Sequence, residues 1–135
     1  MKNFMVLIII CVAVFACIYL LGSCRRTQAQ ETAYRKISAA KARQMMAETK
    51  DYIILDVRTE AEYREKRIEG AVLIPDNEID KRAEKELPDK NQLIFVYCRS
   101  GRRSENASRI LVRQGFTNVY DLGGIMNWPY ETIGD

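Results

Sequence analysis

Short apolar runs alternate with amphipathic, charge-rich segments over residues 34–135, and this alternation restricts the possible folds more than any other feature. Strands are predicted at Ile37 and over the apolar runs 52–57, 71–75, 92–97 and 118–122. Helices are predicted over the amphipathic segments 39–50, 60–67, 77–87 and 105–114, with a short one around 124–128. Such a pattern is typical of an α/β fold with a mostly parallel central sheet and helices on both faces.

Residues that start and stop helices support these boundaries. Ser38 is a suitable N-cap, and Thr59 with Glu62 forms the pattern of a capping box. Pro88 and Gly115 are expected to end the third and fourth helices. The adjacent glycines 123–124 predict a tight turn before the short last helix.

The N-terminal segment is of a different kind from the rest of the chain. Residues 4–22 carry no charge, and at about 1.5 Å per residue such a helix could just cross a bilayer. The sequence "LGSC" ending at Cys24 resembles a bacterial lipobox, which implies cleavage before the cysteine and a diacylglycerol on its thiol. We therefore interpret residues 1–23 as a lipoprotein signal peptide or an uncleaved anchor, 24–33 as a tether and 34–135 as the domain.

These two alternatives predict opposite sides of the cell membrane. A lipoprotein would hold the domain outside the cytoplasmic membrane, and this is the interpretation that we favour. An uncleaved anchor would keep it on the cytoplasmic face, because Arg25, Arg26 and the basic residues beyond them outnumber Lys2. Both alternatives make the membrane a partner of the N-terminus.

The reactive side chains of the domain are few. Of the four cysteines only Cys98 lies beyond the N-terminal segment, so no disulfide is possible within the domain. The chain has no histidine, which excludes histidine metal sites and Ser–His or Cys–His pairs. The net charge of +3 is too weak to indicate nucleic acid as a partner. We expect neither a metal nor a cofactor.

Cys98 ends the most apolar run of the chain and is followed by "RSGRRS". Gly101 permits a turn whose backbone N–H groups, with the start of the next helix, converge on an anion. Arg99, Arg102 and Arg103 add full positive charges. Such surroundings stabilise a thiolate, which is the nucleophilic form of cysteine. The alternative is a buried structural cysteine beside a solvated charge cluster.

Three motifs in order resemble the rhodanese family of sulfurtransferases: "YIILDVRTEAEYREKRIEGAVLIP", "VYCRSGRRS" and "DLGGIMNW". The resemblance covers essentially all of 34–135 and implies the three-layer rhodanese fold. It also implies that Cys98 is the catalytic nucleophile. The loop residues that would bind the anionic donor and the persulfide are Arg99, Ser100, Gly101, Arg102, Arg103 and Ser104. Arg67 departs from the family, whose members often have histidine at this place.

The implied activity is that of a thiosulfate sulfurtransferase. Cys98 would take sulfane sulfur from a small anionic donor such as thiosulfate and pass it to a thiol or another thiophilic acceptor. One alternative is a module that binds sulfur species or a partner protein without turnover. A cysteine-type phosphatase or arsenate reductase is a distant alternative, because Ser104 stands where the phosphatase Cys-x5-Arg pattern needs arginine.

Two further positions near the site have open roles. Asp56 and Arg58 follow a strand that ends at the same edge of the sheet as Cys98. They are predicted either to orient the loop arginines through contacts outside the substrate site or to form a structural ion pair, and we favour the ion pair. Trp128 is expected to be a core or lid aromatic rather than a substrate binder.

Overall fold

The structure is a computed structural model, and it describes residues 34–135. The interpretations of residues 1–33, including the signal peptide or anchor, the lipidated Cys24 and the tether, lie outside the described residues. Within residues 34–135, no helix is both long enough and apolar enough to cross a membrane.

The described residues form alternating strands and helices, as the sequence pattern predicts. The strands are Tyr34–Lys36 (β1), Tyr52–Asp56 (β2), Val72–Leu73 (β3), Leu93–Cys98 (β4) and Val119–Gly124 (β5). The helices are Ala39–Glu48 (α1), Glu60–Glu65 (α2), Ile79–Glu86 (α3) and Arg102–Arg113 (α4), followed by a 3₁₀ helix over Ile125–Asn127. The first strand thus precedes Ile37, and β3 is shorter than the apolar run that contains it.

The five strands make one sheet in the order β1-β5-β4-β2-β3, and every neighbouring pair is parallel. This confirms the predicted α/β fold class. Strand β4 lies in the centre between β5 and β2. Its continuous burial from Ile94 to Cys98 follows from this position, because a central parallel strand is covered on both faces.

Alternate side chains of β4 point to opposite faces of the sheet and enter different cores. Ile94, Val96 and Cys98 pack with buried residues of α3 and α4. Phe95 and Tyr97 pack on the other face with α1 and the C-terminal segment. The helices therefore cover both faces, and the structure has the predicted three layers.

Helix α4 begins earlier than the sequence indicates. The sequence pattern predicts this helix from residue 105, but Arg102 and Arg103 are already helical and Gly101 takes the N-cap position. The physical reason is the direction of the Ser104 hydroxyl, which donates to the carbonyl of Gly101 at 2.9 Å. It therefore does not cap a backbone N–H group at the helix start.

The predicted tight turn at Gly123 and Gly124 is wrong. Both glycines belong to the end of β5 and pair with Tyr97 and Cys98 of β4. The register between the two strands shifts by one residue just before them, which is a β-bulge. Asp121 supports the bulge, since its carboxylate accepts the Gly123 N–H at 2.9 Å.

The topology creates a crevice at the carboxyl ends of β2 and β4. These strands are neighbours, but β2 leads through α2 to β3 on one side, and β4 leads through α4 to β5 on the other. Chain segments that diverge in this way leave a space above the sheet where ligands bind in open α/β folds. Cys98 is the last residue of β4 and lies at this edge.

Candidate active site

The sulfur of Cys98 lies inside a narrow backbone loop. The residue is only 1% exposed, and the N–H group of Gly101 donates to Sγ at 3.0 Å. The hydroxyl oxygen of Ser104 is 3.7 Å from Sγ. An N–H group in this position can donate to the sulfur and stabilise negative charge that develops on it.

Gly101 gives the loop a shape that other residues resist. Its φ of +115° lies in a region that L side chains rarely adopt. Directly after it, α4 runs for twelve residues, so the partial positive charge of a helix N-terminus lies beside the sulfur. The sequence predicted this combination of cysteine, glycine turn and helix start.

The Ser104 side chain holds the loop closed from within. It is fully buried, and its oxygen lies 2.9 Å from the carbonyl oxygen of Gly101 and 3.2 Å from that of Gly123. These contacts join the first turn of α4 to the loop and to the end of β5. The hydroxyl group thus connects the cysteine loop to the sheet.

The end of β5 also touches the loop backbone directly. A Cβ atom on Gly124 would lie 2.4 Å from the carbonyl oxygen of Arg99 and 2.6 Å from the Cα of Ser100. The N–H group of Met126 donates to the same Arg99 oxygen at 3.3 Å. The loop therefore lies against a position where any side chain would meet loop backbone, which the sequence pattern did not indicate.

The three loop arginines have different surroundings. Arg103 makes two hydrogen bonds to the carboxylate of Glu62, at 2.9 and 2.7 Å. Arg99 and Arg102 are exposed, and neither forms an ion pair with any residue in the described part of the chain. Only these two are therefore available to an incoming anion without first breaking a salt bridge.

The Arg103–Glu62 contact also changes the titration of both groups. The hydrogen bonds from Arg103, with further ones from Thr59, lower the pKa of Glu62 to about 2 although its partial burial acts in the opposite direction. The same contact raises the pKa of Arg103, and the nearness of Cys98 raises it further. Both groups are therefore charged over the whole neutral range.

A cleft of about 520 Å³ lies beside the loop. Its walls include Ser100, Gly101, Arg102 and Asp121. A cleft of this size is large enough for a small oxyanion or for the end of a thiol-bearing molecule. Chemically, the site combines a cysteine sulfur, an amide donor and accessible cations, which suits the binding of a small anion.

Asp56 and Arg58 form a buried ion pair on the neighbouring strand. Arg58 donates to both Asp56 oxygens, with a shortest distance of 2.6 Å, and also to the carbonyl of Lys66 at 2.6 Å. Tyr97 donates its hydroxyl to Asp56 at 2.5 Å and accepts the N–H of Ile68. These contacts match the structural alternative, since none of them reaches a loop arginine.

Burial and pairing shift the pKa values in this cluster. Burial raises the pKa of Tyr97 far above its ordinary value, and the hydrogen bond to Asp56 raises it further. Burial lowers the pKa of Arg58, but its hydrogen bonds and ionic contact with Asp56 outweigh this and the net shift is upward. The Arg58 guanidinium therefore stays charged, and the Tyr97 phenol stays neutral, over the whole neutral range.

Two other predicted positions, Arg67 and Trp128, do not line the cleft beside the loop. Arg67, the departure from the family pattern, contacts Asp135 at 2.7 Å and stacks over the ring of Tyr63. Trp128 is buried in the same core as Phe95 and packs edge-on against Tyr130. Trp128 thus matches the core alternative, and Arg67 serves the packing of the C-terminal segment.

Known proteins are similar to this chain in sequence and in fold. A family model described as the Rhodanese-like domain matches residues 38–130. The thiosulfate sulfurtransferase PspE of Escherichia coli is 39% identical over 71 residues, which are 53% of this chain and 68% of that protein. A sulfurtransferase of Allochromatium vinosum is 37% identical over 94 residues, which are 69% of this chain and 86% of that protein.

Solved structures agree with these sequence matches. A rhodanese with anions from E. coli superimposes with a TM-score of 0.59 at 33% identity, covering 62% of this chain and 99% of that chain. The Alr3790 protein from Anabaena superimposes with a TM-score of 0.67 at 28% identity, covering 73% of this chain and 91% of that chain. Family model, relatives and fold agree with the resemblance of the three motifs, and this chain belongs to the rhodanese family.

Proposed function

We propose that the chain is a sulfurtransferase that carries sulfane sulfur as a persulfide on Cys98. The observation that supports this most directly is the Gly101 N–H group donating to Sγ at 3.0 Å. The start of α4 adds its partial positive charge at the same place. Together they supply the activation that a cysteine nucleophile otherwise obtains from histidine, which this chain lacks.

The reaction proceeds in two displacements. The Cys98 thiolate attacks the sulfane sulfur of thiosulfate, a sulfur–sulfur bond forms, and sulfite leaves with the electron pair of the broken bond. An acceptor then attacks the outer sulfur of the persulfide, which restores the thiolate. Cyanide leaves as thiocyanate, whereas a thiol leaves as a persulfide. Neither step changes the overall electron count or requires a cofactor.

The surroundings of the sulfur support the assignment of roles in the loop. Arg102 would hold the sulfonate end of the donor, because it is an exposed cation in the wall of the cleft and has no carboxylate partner among the described residues. Arg99 would assist from the exposed start of the loop. The loop amides would cradle the outer sulfur. The hydroxyl of Ser104 points inward to the carbonyls of Gly101 and Gly123. Cysteine-type phosphatases have arginine at this position of the loop, whereas here the serine closes the loop.

The test is the intact mass of the reduced full chain after incubation with thiosulfate and then with cyanide. We expect a gain of one sulfur atom that cyanide removes, and no gain in a Cys98→Ser variant. A folded chain with a reduced thiol that gains no sulfur from thiosulfate, polysulfide or a persulfide donor would contradict the proposal. That result would favour a module that binds a sulfur species or a partner without turnover.

We further propose that Cys24 is lipidated and that the domain lies outside the cytoplasmic membrane. The support is the "LGSC" sequence after an uncharged apolar segment. In a bacterial host, globomycin should cause accumulation of an uncleaved precursor, and labelled palmitate should enter the wild-type chain but not Cys24→Ser. Normal cleavage of Cys24→Ser would rule out lipidation. A wild-type chain that keeps its N-terminus and takes up no palmitate would instead support the uncleaved anchor on the cytoplasmic face.

A further inference from the structure

The ion pair between Glu62 and Arg103 joins the two chain segments that diverge from the crevice. Glu62 lies on α2, which follows β2, and Arg103 lies in the first turn of α4, which follows β4. Their side chains are 24% and 23% exposed, so the pair is largely shielded from water. An ion pair in such a place is stronger than one on an open surface.

Glu62 is itself held in place by its own helix. Its carboxylate accepts the backbone N–H and the hydroxyl of Thr59, both at 3.0 Å, in a complete capping box. Both carboxylate oxygens also accept from Arg103. Because four hydrogen bonds converge on this carboxylate, the guanidinium of Arg103 is fixed against α2 and is not free to follow a ligand.

Arg103 lies in the first turn of α4, directly after Gly101, whose N–H group donates to the Cys98 sulfur. A carboxylate bound to this guanidinium offsets the positive charge that the sulfur and an approaching anion experience. The sequence indicates three cations around the loop. Of these three arginines, Arg103 is paired with Glu62, and Arg99 and Arg102 have no carboxylate partner within residues 34–135.

We propose that Glu62 is a positioning residue for sulfur transfer, which holds Arg103 beside the Cys98 loop and cancels its charge so that Arg99 and Arg102 receive the anionic donor. This inference rests on the proposed sulfurtransferase function. In this arrangement Glu62 lowers the affinity of the site for anions and at the same time fixes the position of the loop. A weaker hold on the donor also means a weaker hold on the sulfite that must leave.

The variant that separates charge from structure is Glu62→Gln. Glutamine serves the third position of a capping box and still accepts a hydrogen bond from Arg103, but it carries no charge. The matched control is Glu60→Gln on the same helix, which removes an equal charge whose partner is the exposed Arg64. Both variants are compared with the wild-type full chain.

Two measurements are made on each protein. The first is kcat and KM for sulfur transfer from thiosulfate to cyanide. The second is the ratio of Cys98 alkylation rates with iodoacetate, an anion, and iodoacetamide, its neutral analogue. In Glu62→Gln we expect the KM for thiosulfate to fall by about three- to tenfold, with a smaller change in kcat, and the alkylation ratio to rise about threefold. Both effects should shrink at about 0.5 M salt.

An unchanged alkylation ratio and KM in Glu62→Gln would overturn the inference. So would an equal loss of reactivity toward both alkylating agents together with a lower unfolding midpoint, because that would show a purely structural role. An equal response of Glu60→Gln would show that only net charge matters and would also overturn it. The alkylation ratio needs no sulfur donor, so it tests Glu62 even if thiosulfate proves not to be a substrate.

Discussion

Replacing Gly124 with alanine should lower kcat/KM for sulfur transfer by about 100-fold or more, although the chain still folds. The added Cβ would lie 2.4 Å from the Arg99 oxygen and 2.6 Å from the Cα of Ser100. Both are backbone atoms, so no change of side-chain rotamer can relieve the contact, and the cysteine loop must move. Gly124 itself has ordinary extended angles, with φ −108° and ψ 140°, so alanine would be unstrained there but for this contact.

The size of the effect follows from the geometry around the sulfur. The Gly101 N–H group is a good donor to Sγ only near its present distance and direction. A loop displaced by about 1 Å would misplace this donor and the donor-binding arginines together, and such displacements cost about 100-fold in rate. The overpacking should also lower the free energy of unfolding by about 1–3 kcal/mol.

The measurements are kcat/KM with thiosulfate and cyanide, and urea unfolding of the same preparations. The control is Gly134→Ala, where a Cβ would also meet backbone, 2.5 Å from the Glu65 oxygen, but away from the cysteine loop. We expect that control to retain its activity within about twofold. Wild-type activity in Gly124→Ala would show that the loop tolerates displacement, and the proposed role of its amides would then be wrong.

The sequence was sufficient for those parts of the site that depend on neighbours in the chain. A cysteine ending an apolar strand, a glycine turn and a helix start are all local, so the position of Cys98 relative to Gly101 and α4 could be predicted. The boundary of α4 was less certain, because a serine near a helix start can either cap it or bond backwards. Ser104 donates backwards to the carbonyl of Gly101, and the helix begins at Arg102, three residues before the predicted start.

The parts that could not be predicted depend on contacts between distant segments. Gly124 meets Arg99 because β4 and β5 slip by one residue at a bulge, and no local pattern indicates such a slip. Glu62 was assigned to a capping box, which is correct, but its second partner lies 41 positions along the chain. A carboxylate that completes a capping box can still accept hydrogen bonds from another segment. This capacity was the one sequence signal that Glu62 could have a second partner.

The contacts of Asp56 and Arg58 lead to the second large prediction. Changing Arg58 to methionine should lower the free energy of unfolding by about 3–5 kcal/mol, because it leaves the buried Asp56 carboxylate without its charged partner. Arg58 is 4% exposed and Asp56 is fully buried, so water cannot replace the lost contacts. The carbonyl of Lys66 would also lose its Arg58 donor. Against a total of about 5–15 kcal/mol for a typical domain, this is a severe loss.

Urea unfolding at neutral pH measures this loss, and the chain offers a matched control. Arg64→Met makes the same substitution in an ion pair with Glu60 whose side chains are 65% and 68% exposed, and it should cost less than about 1 kcal/mol. Under conditions in which Arg58→Met is folded, persulfide formation on Cys98 should stay within about threefold of wild type. Unchanged stability together with lost persulfide formation would contradict the structural role. A buried carboxylate that lost its partner would lower stability, so that result would mean that Arg58 acts on the loop arginines instead.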